Sequence, residues 1–348
     1  MLMKFKSFVT LTFGIALGAN SAALAAAPGP SAWGPRLEKL VRRIDEKAPG
    51  PLGLFVKRLG DDTELNYGGD RRFYLSSTVK VPVAVALLKR VEEGKLRLDQ
   101  TLTLQKTDFV DGSGEVLWKE PGAVMNLSYL LDKMLTQSDS TATDMLIRLM
   151  GVDSMNEQVK SFAPGFGPIT TLIDVRYGAY GELNPRAREL SNMDFIEFKK
   201  APAPERLRLF RERLQLTPEQ IGAASVEEAF DRFYAKGFNS APLRAVGAFL
   251  ERLGEGELLN AEHTKLVLST MARMTTGENR LKAGFPKGTV FAQKTGTQIG
   301  RMCNIGIVRP GKKNAVVVSA CLEGFGDQAA AEKDLAKLGA AMSMARAL

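Results

Sequence analysis

Three short runs in the chain carry residue types capable of covalent chemistry: "STVK" at residues 77–80, "SDS" at 138–140 and "KTGT" at 294–297. In the first, three positions separate Ser77 from Lys80, nearly one helical turn, so the amine projects beside the hydroxyl. Val81, Val83, Ala84, Leu87, Leu88 and Val91 then recur at helical spacing and Gly94 marks a stop, which predicts a helix opening at the serines. A helix N-terminus offers free backbone N–H groups to developing negative charge. A desolvated lysine there can lose its proton near neutral pH and act as base toward a serine. Serines at such a position are also ordinary N-caps, and the same holds for the "SDS" that opens the next helical run. In "KTGT", a glycine within a strand permits close approach of a ligand, and lysine with threonine suits a carboxylate. An edge strand guarded by a lysine has the same composition.

Other candidates for chemistry are few. The single histidine, His263, starts a helix of surface composition, which leaves a Ser-His-Asp triad without support. His263 and the two cysteines show no metal-ligand spacing, so neither a metal nor a cofactor is expected. Cys303 and Cys321 lie on two strand-like runs joined by "GKKN". A hairpin would place them opposite each other, and both a disulfide and two buried thiols satisfy that arrangement.

The first residues read as an export signal. Lys4 and Lys6 form a positive segment, residues 7–19 an apolar one, and "ALA" at 23–25 a small-residue cleavage site. The expected organisation is a signal peptide at 1–25 and a catalytic domain at 26–348, in a periplasmic, soluble, monomeric protein without a membrane anchor. Loss of the two lysines lowers the net charge from +8 to about +6. That balance contains no basic tract, so nucleic acid is a poor partner. About 320 residues remain, enough for one large domain or two lobes.

Strand-like runs stand near both ends, "LGLFVKRLG" and "TELNYGG" early, "TVFAQKTGT", "CNIGIVRP" and "AVVVSACLEG" late. Helical patterns fill the middle, with one more helix at each end. An α/β fold follows: an antiparallel sheet flanked by N- and C-terminal helices, with an all-helical lobe inserted. The expected division is an α/β lobe at about 33–75 and 255–348 and a helical lobe at about 76–254. A cleft between the lobes is where a substrate would bind.

The order S-x-x-K, then S-D-x about sixty residues on, then K-T-G before a C-terminal hairpin, resembles the penicillin-recognising serine enzymes and, within them, the class A β-lactamases. "DGSGEVL", "MNLSYLLDKMLTQSDSTATDMLIRLMG" and "TTGENRLKAGFPKGTVFAQKTGT" extend the resemblance over nearly the whole mature chain. By this resemblance Ser77 is the acylated nucleophile and Lys80 its base or relay. Ser138 passes a proton to the leaving nitrogen, Lys294 supports that bridge, and Asp139 buttresses the loop. Backbone N–H groups of Ser77 and Thr297 form an oxyanion hole. Thr295, Gly296 and Thr297 receive the substrate carboxylate, with Arg280 or its rival Arg301 behind them.

Two departures stand out. Ser140 replaces the family's asparagine, whose longer side chain holds the substrate's amide. In the loop that normally reads R-x-E-x-x-L-N, "RYGAYGELNP" keeps Leu183 and Asn184 but puts Tyr180 at the glutamate position, with Glu182 two residues later. If that register holds, Tyr180→Glu speeds deacylation. An extra, strongly charged segment beyond Asn184, about 187–240 and containing "ELSNMDFIEFKKAPAPERLRLFRERLQLTPEQIG", exceeds the family length and either covers the cleft or packs on the helical lobe. Three functions compete: a periplasmic serine β-lactamase working through a Ser77 acyl-enzyme, a cell-wall DD-peptidase or transpeptidase that β-lactams acylate but leave slowly, and a non-enzymatic binding protein on the same fold. Partners are accordingly a small β-lactam or a peptidoglycan-like substrate.

Overall fold

The computed structural model describes residues 33–348, so the leader and its cleavage site lie outside the described residues. In chain order the helices are α1 (Trp33–Asp45), α2 (Lys80–Glu92), α3 (Leu127–Thr136), α4 (Ser140–Met150), α5 (Val152–Phe162) and α6 (Leu172–Gly181). They continue with α7 (Asn192–Lys200), α8 (Ala203–Leu214), α9 (Val226–Ala235), α10 (Leu243–Gly254), α11 (Ala261–Ala272) and α12 (Gln328–Ala345). The strands are β1 (Leu52–Arg58), β2 (Glu64–Tyr67), β3 (Arg72–Tyr74), β4 (Thr101–Thr103), β5 (Val124–Asn126), β6 (Ser240–Pro242), β7 (Phe291–Gln298), β8 (Arg301–Val308) and β9 (Val316–Glu323). The mixed architecture, an antiparallel sheet flanked by α1 and α12 with helices between, is the one expected.

The main sheet runs β2-β1-β9-β8-β7 with every pair antiparallel. Alternation along its strands builds two cores. Leu54, Val56, Val318, Ala320, Leu322 and Met302 face Trp33, Leu37 and Val41 of α1 and Leu335, Leu338 and Met342 of α12. Their neighbours Phe55, Val317, Ile305 and Ile307 face the opposite way, toward α2 and α10. Cys303 and Cys321 are register partners on this second face and form a disulfide.

Helix α2 is more deeply set than its spacing suggests. Every residue from Lys80 to Leu88 is buried, because α3, α4 and α5 surround it. Helix α10 differs from expectation: placed with the helical lobe from sequence, it lies on the sheet. Gly247 leaves room for the Phe55 ring, and Ser319 Oγ donates to Leu243 O at 2.9 Å.

The extra segment forms α7, α8 and α9. With α6 it encloses a separate aromatic core of Tyr180, Phe195, Phe198, Phe210, Phe230 and Phe233. It also supplies a wall of the cleft through Lys199, Ala203, Arg206 and Glu227. Both roles left open by the sequence are therefore filled by one structure.

Candidate active site

Ser77 lies in a short 3-10 turn, Ser76–Val79, that feeds directly into α2. The backbone N–H of Lys80 donates to Ser77 O, which tightens the turn and sets Lys80 at the head of α2. Ser76, just before, has a φ of 51°, a left-handed conformation that is uncommon outside glycine and asparagine. Strained backbone of this kind persists where surrounding structure holds it, and here β7 packs against the turn. A Cβ on Gly296 would lie 2.5 Å from Leu75 O and 3.2 Å from Ser77 N. Glycine in "KTGT" is thus required by the close approach of β7 to the Ser77 turn.

The "SDS" run supplies the second wall. Ser138 has a φ of 59°, and Asp139 caps α4. One Asp139 carboxylate oxygen accepts from Ala142 N and the other from Val116 N, both at 2.8 Å. A side chain on Gly114 would collide with that carboxylate, which explains the glycine in "DGSGEVL". Asp139 is therefore a clamp between loop and helix, and Ser138 projects from the clamped turn.

Two fully buried lysines meet at Ser138. Lys80 Nζ donates to Ser138 O at 2.5 Å and lies 3.3 Å from Ser138 Oγ and 3.5 Å from Ser140 Oγ. Lys294 Nζ donates to Ser138 Oγ at 2.8 Å and to Thr295 O at 2.9 Å. Among the described residues neither amine forms an ion pair with a carboxylate. Burial pulls Lys80 down to about 7, against the weaker opposing pull of Asp139 and Asp144. Lys294 is held well below its ordinary value by burial and then by repulsion from Lys80 and Arg280.

At the far end of β7, Arg280 settles the choice between the two arginines. Its guanidinium donates to Thr297 Oγ1 at 2.7 Å and to Gly296 O at 3.2 Å, and Glu332 of α12 holds it at 3.0 Å. Arg301 turns away to Asp231 and Glu323 and does not reach the cleft. Thr295 Oγ1 pairs with Thr276 Oγ1 at 2.7 Å. Ser77, Ser138, Thr276, Arg280, Thr295 and Thr297 all line one cleft of about 860 Å³.

The loop residues fall elsewhere. Tyr180 is buried in the aromatic core against Phe195, Phe198, Phe210 and Phe230. Glu182 caps the end of α6 and pairs with Lys236. Neither lines a hollow that contains Ser77, so the register built on Leu183 and Asn184 does not carry Tyr180 to the glutamate's place. The physical reason is α6 itself: a continuous helix over that stretch turns Tyr180 toward α7–α9. Leu172, about two turns earlier, and Val175 and Arg176, about one turn earlier, are the α6 residues that line the hollow beside Ser77.

Several site residues escaped the sequence. Asp144 accepts from Leu172 N at 2.7 Å and Ile173 N at 2.9 Å and so anchors the start of α6; burial raises it to about 7. Its signal was the spacing: it falls four residues after Ser140, on the same helix face. Arg176 pairs with Asp111 inside the cleft wall. Glu332, 52 residues beyond Arg280 in sequence, had no local signal at all. His263 pairs with Glu92 at 2.8 Å away from the cleft. No group of three or more His, Cys, Asp or Glu side chains suited to a metal ion occurs among the described residues.

Residues 36–345 match the family model described as the beta-lactamase enzyme family. The chain belongs to that family. It is 23% identical to a β-lactamase of Proteus vulgaris over 275 residues, which is 79% of this chain and 74% of that one. It is 24% identical to the β-lactamase SME-1 of Serratia marcescens, over 81% and 79% of the two chains. Among solved structures the fold resembles a point mutant of PBP-A in its acyl-enzyme complex with penicillin G, at a TM-score of 0.67 and 20% identity, covering 90% of this chain and 96% of that one. A β-lactamase from Xanthomonas campestris is equally similar, with a TM-score of 0.67, 20% identity and coverages of 90% and 98%. The chain is thus a member of the penicillin-recognising serine enzyme superfamily, and its family supports a hydrolase.

Proposed function

We propose that this protein is an exported serine β-lactamase whose Ser77 opens the β-lactam ring through an acyl-enzyme. The observation that carries the reading is Ser138 Oγ held between two buried amines, 2.8 Å from Lys294 and 3.3 Å from Lys80. A hydroxyl has two acceptor lone pairs and one proton. With both amines donating to the oxygen, the proton of Ser138 is left to point into the cleft, toward a substrate nitrogen.

Neutral Lys80 removes the proton from Ser77 Oγ as the oxygen attacks the carbonyl carbon. The oxyanion is received by the backbone N–H groups of Ser77 and Thr297, at about 2.7–4 kcal/mol per donor. The C–N bond breaks as Ser138 protonates the nitrogen, and Lys80 returns its proton to Ser138. The substrate carboxylate sits against Thr295 and Thr297, with Arg280 behind. Lys80 acts again as base toward water in deacylation.

A specific observation favours a second reading. Among the described residues no unpaired carboxylate faces Ser77 from the loop, where Leu172 and Val175 stand instead. A cell-wall DD-peptidase that β-lactams acylate durably has the same acylation apparatus and no need for fast hydrolysis of such adducts. Purified protein incubated with a chromogenic cephalosporin and a carbapenem separates the two. Steady turnover that Ser77→Ala abolishes supports the β-lactamase; a stable adduct on Ser77 without turnover supports the peptidase. Absence of both removes either enzyme. Export is tested by N-terminal sequencing of the mature protein from a periplasmic fraction, with cleavage expected near Ala25 or Ala27.

A further inference from the structure

The cleft is lined by two sets of cationic side chains, and the reaction described above uses one. Arg280 belongs to the first, tied to Thr297 and Glu332. The other is supplied by the extra segment: Lys199 on the last turn of α7 and Arg206 on α8 line the same 860 Å³ cleft as Ser77. A smaller hollow of about 110 Å³ runs on from Ser77 to Lys199 past Ser140, Arg176 and Gln298, and Arg280 takes no part in it. Ser77, Thr297 and Lys199 line both hollows, whereas Arg280 and Arg206 line only the larger of the two.

The charges of the second set are not matched internally. Arg176 is neutralised by Asp111. Arg206 is oriented by main-chain carbonyls, donating to Ala201 O at 3.1 Å and Lys199 O at 3.5 Å, without a carboxylate partner. Among the described residues neither Lys199 nor Arg206 forms an ion pair within 4.0 Å, and Glu227, the carboxylate on this wall, pairs with neither. A positioned guanidinium and an ammonium, with Glu227 as the acidic group on the same wall, leave a net positive surface in the cleft that holds Ser77. Burial, then the neighbouring Arg176 and Arg206, lower Lys199 from its ordinary value.

We propose that the Lys199 and Arg206 wall of the cleft is a specificity subsite for a carboxylate carried on the acyl side chain of the substrate. The proposal rests on the cleft beside Ser77 being the β-lactam site. A substrate whose ring carboxylate meets Thr295, Thr297 and Arg280 directs its acyl side chain away from Arg280, and the smaller hollow, which Lys199 lines and Arg280 does not, receives it. Ser140, shorter than the family's asparagine, grips the side-chain amide less, and a charge at the end of the side chain supplies orientation from farther out.

Benzylpenicillin and its α-carboxyl derivative differ by one carboxylate and are the probes. Second-order acylation constants measured by intact mass should favour the α-carboxyl compound by about fivefold at low salt, with the preference shrinking as salt is raised. In Lys199→Met/Arg206→Gln the ratio of the two constants should fall to near one. A wild-type ratio at or below one, or a ratio that the double variant leaves unchanged, overturns the subsite. Failure of benzylpenicillin to label Ser77 overturns the acyl-enzyme reading instead. In that event the same pair of compounds is titrated calorimetrically against Ser77→Ala, where equal affinities overturn the subsite and tighter binding of the α-carboxyl compound sustains it.

Discussion

Gly296 approaches Ser77 so closely that a methyl group on it would stand 3.2 Å from Ser77 N and 2.5 Å from Leu75 O. Both obstructing groups are backbone, so no side-chain rotation relieves the clash. Gly296→Ala must push β7 away from the Ser77 turn and misplace Thr297 N–H relative to Ser77 N–H, the two donors proposed for the oxyanion. Loss of one oxyanion donor costs about 10²–10³ in rate. Acylation of Gly296→Ala should fall by that order while its far-ultraviolet circular dichroism stays that of the parent. Acylation within threefold of the parent would show that the oxyanion is held elsewhere.

In the proposed mechanism Lys80 sets the pH dependence of acylation. Burial lowers it from the ordinary lysine value to about 7, so the amine is protonated and inactive as a base below that pH and neutral above it. The acylation rate should therefore rise with pH and level off above about 7, with one proton lost. Stopped-flow acylation between pH 5 and 9 gives the profile. A rate flat across that range would remove Lys80 as the base.

The residues proposed for acylation were legible because each sits in a short local pattern: a serine and a lysine one turn apart, a serine beside a capping aspartate, a glycine inside a strand. The sheet was legible from period-2 runs near both ends of the chain. What the sequence could not convey was orientation across long separations. Arg280 and Arg301 flank the same strand and carry the same group; only the distant Glu332 and Asp231 decide which one turns inward. Likewise Tyr180 matched a motif position, but its aromatic character was the better guide, since Phe195, Phe198, Phe210 and Phe230 offered it a core.

The disulfide joins register partners on two neighbouring central strands, separated by 18 residues in sequence. Closing a loop of that length contributes about 3 kcal/mol through the unfolded chain. Cys303→Ala/Cys321→Ala should lower the urea midpoint correspondingly, and reduction of the parent under denaturing conditions should reproduce the loss. An unchanged midpoint would mean that the packing of β8 on β9 suffices without the bond.

A carboxylate placed by the sequence register and one placed by the structure should behave oppositely. Tyr180→Glu buries a charge among four phenylalanine rings, a change of the kind that costs more than about 4 kcal/mol; it should unfold the α6–α9 subdomain and leave deacylation no faster. Leu172 is half-buried at the first turn of α6 and lines the hollow that contains Ser77. A glutamate there gains from the helix N-terminus and faces the acyl-enzyme with a group able to take a proton from water. Leu172→Glu should shorten the lifetime of the Ser77 adduct by about tenfold or more, read as loss of adduct mass after excess penicillin is removed. The adduct lifetime is the decisive quantity, because the proposed acylation base, Lys80, is untouched and acylation should change little. If Leu172→Glu leaves the lifetime unaltered while Tyr180→Glu folds normally and shortens it, the loop takes the motif register after all.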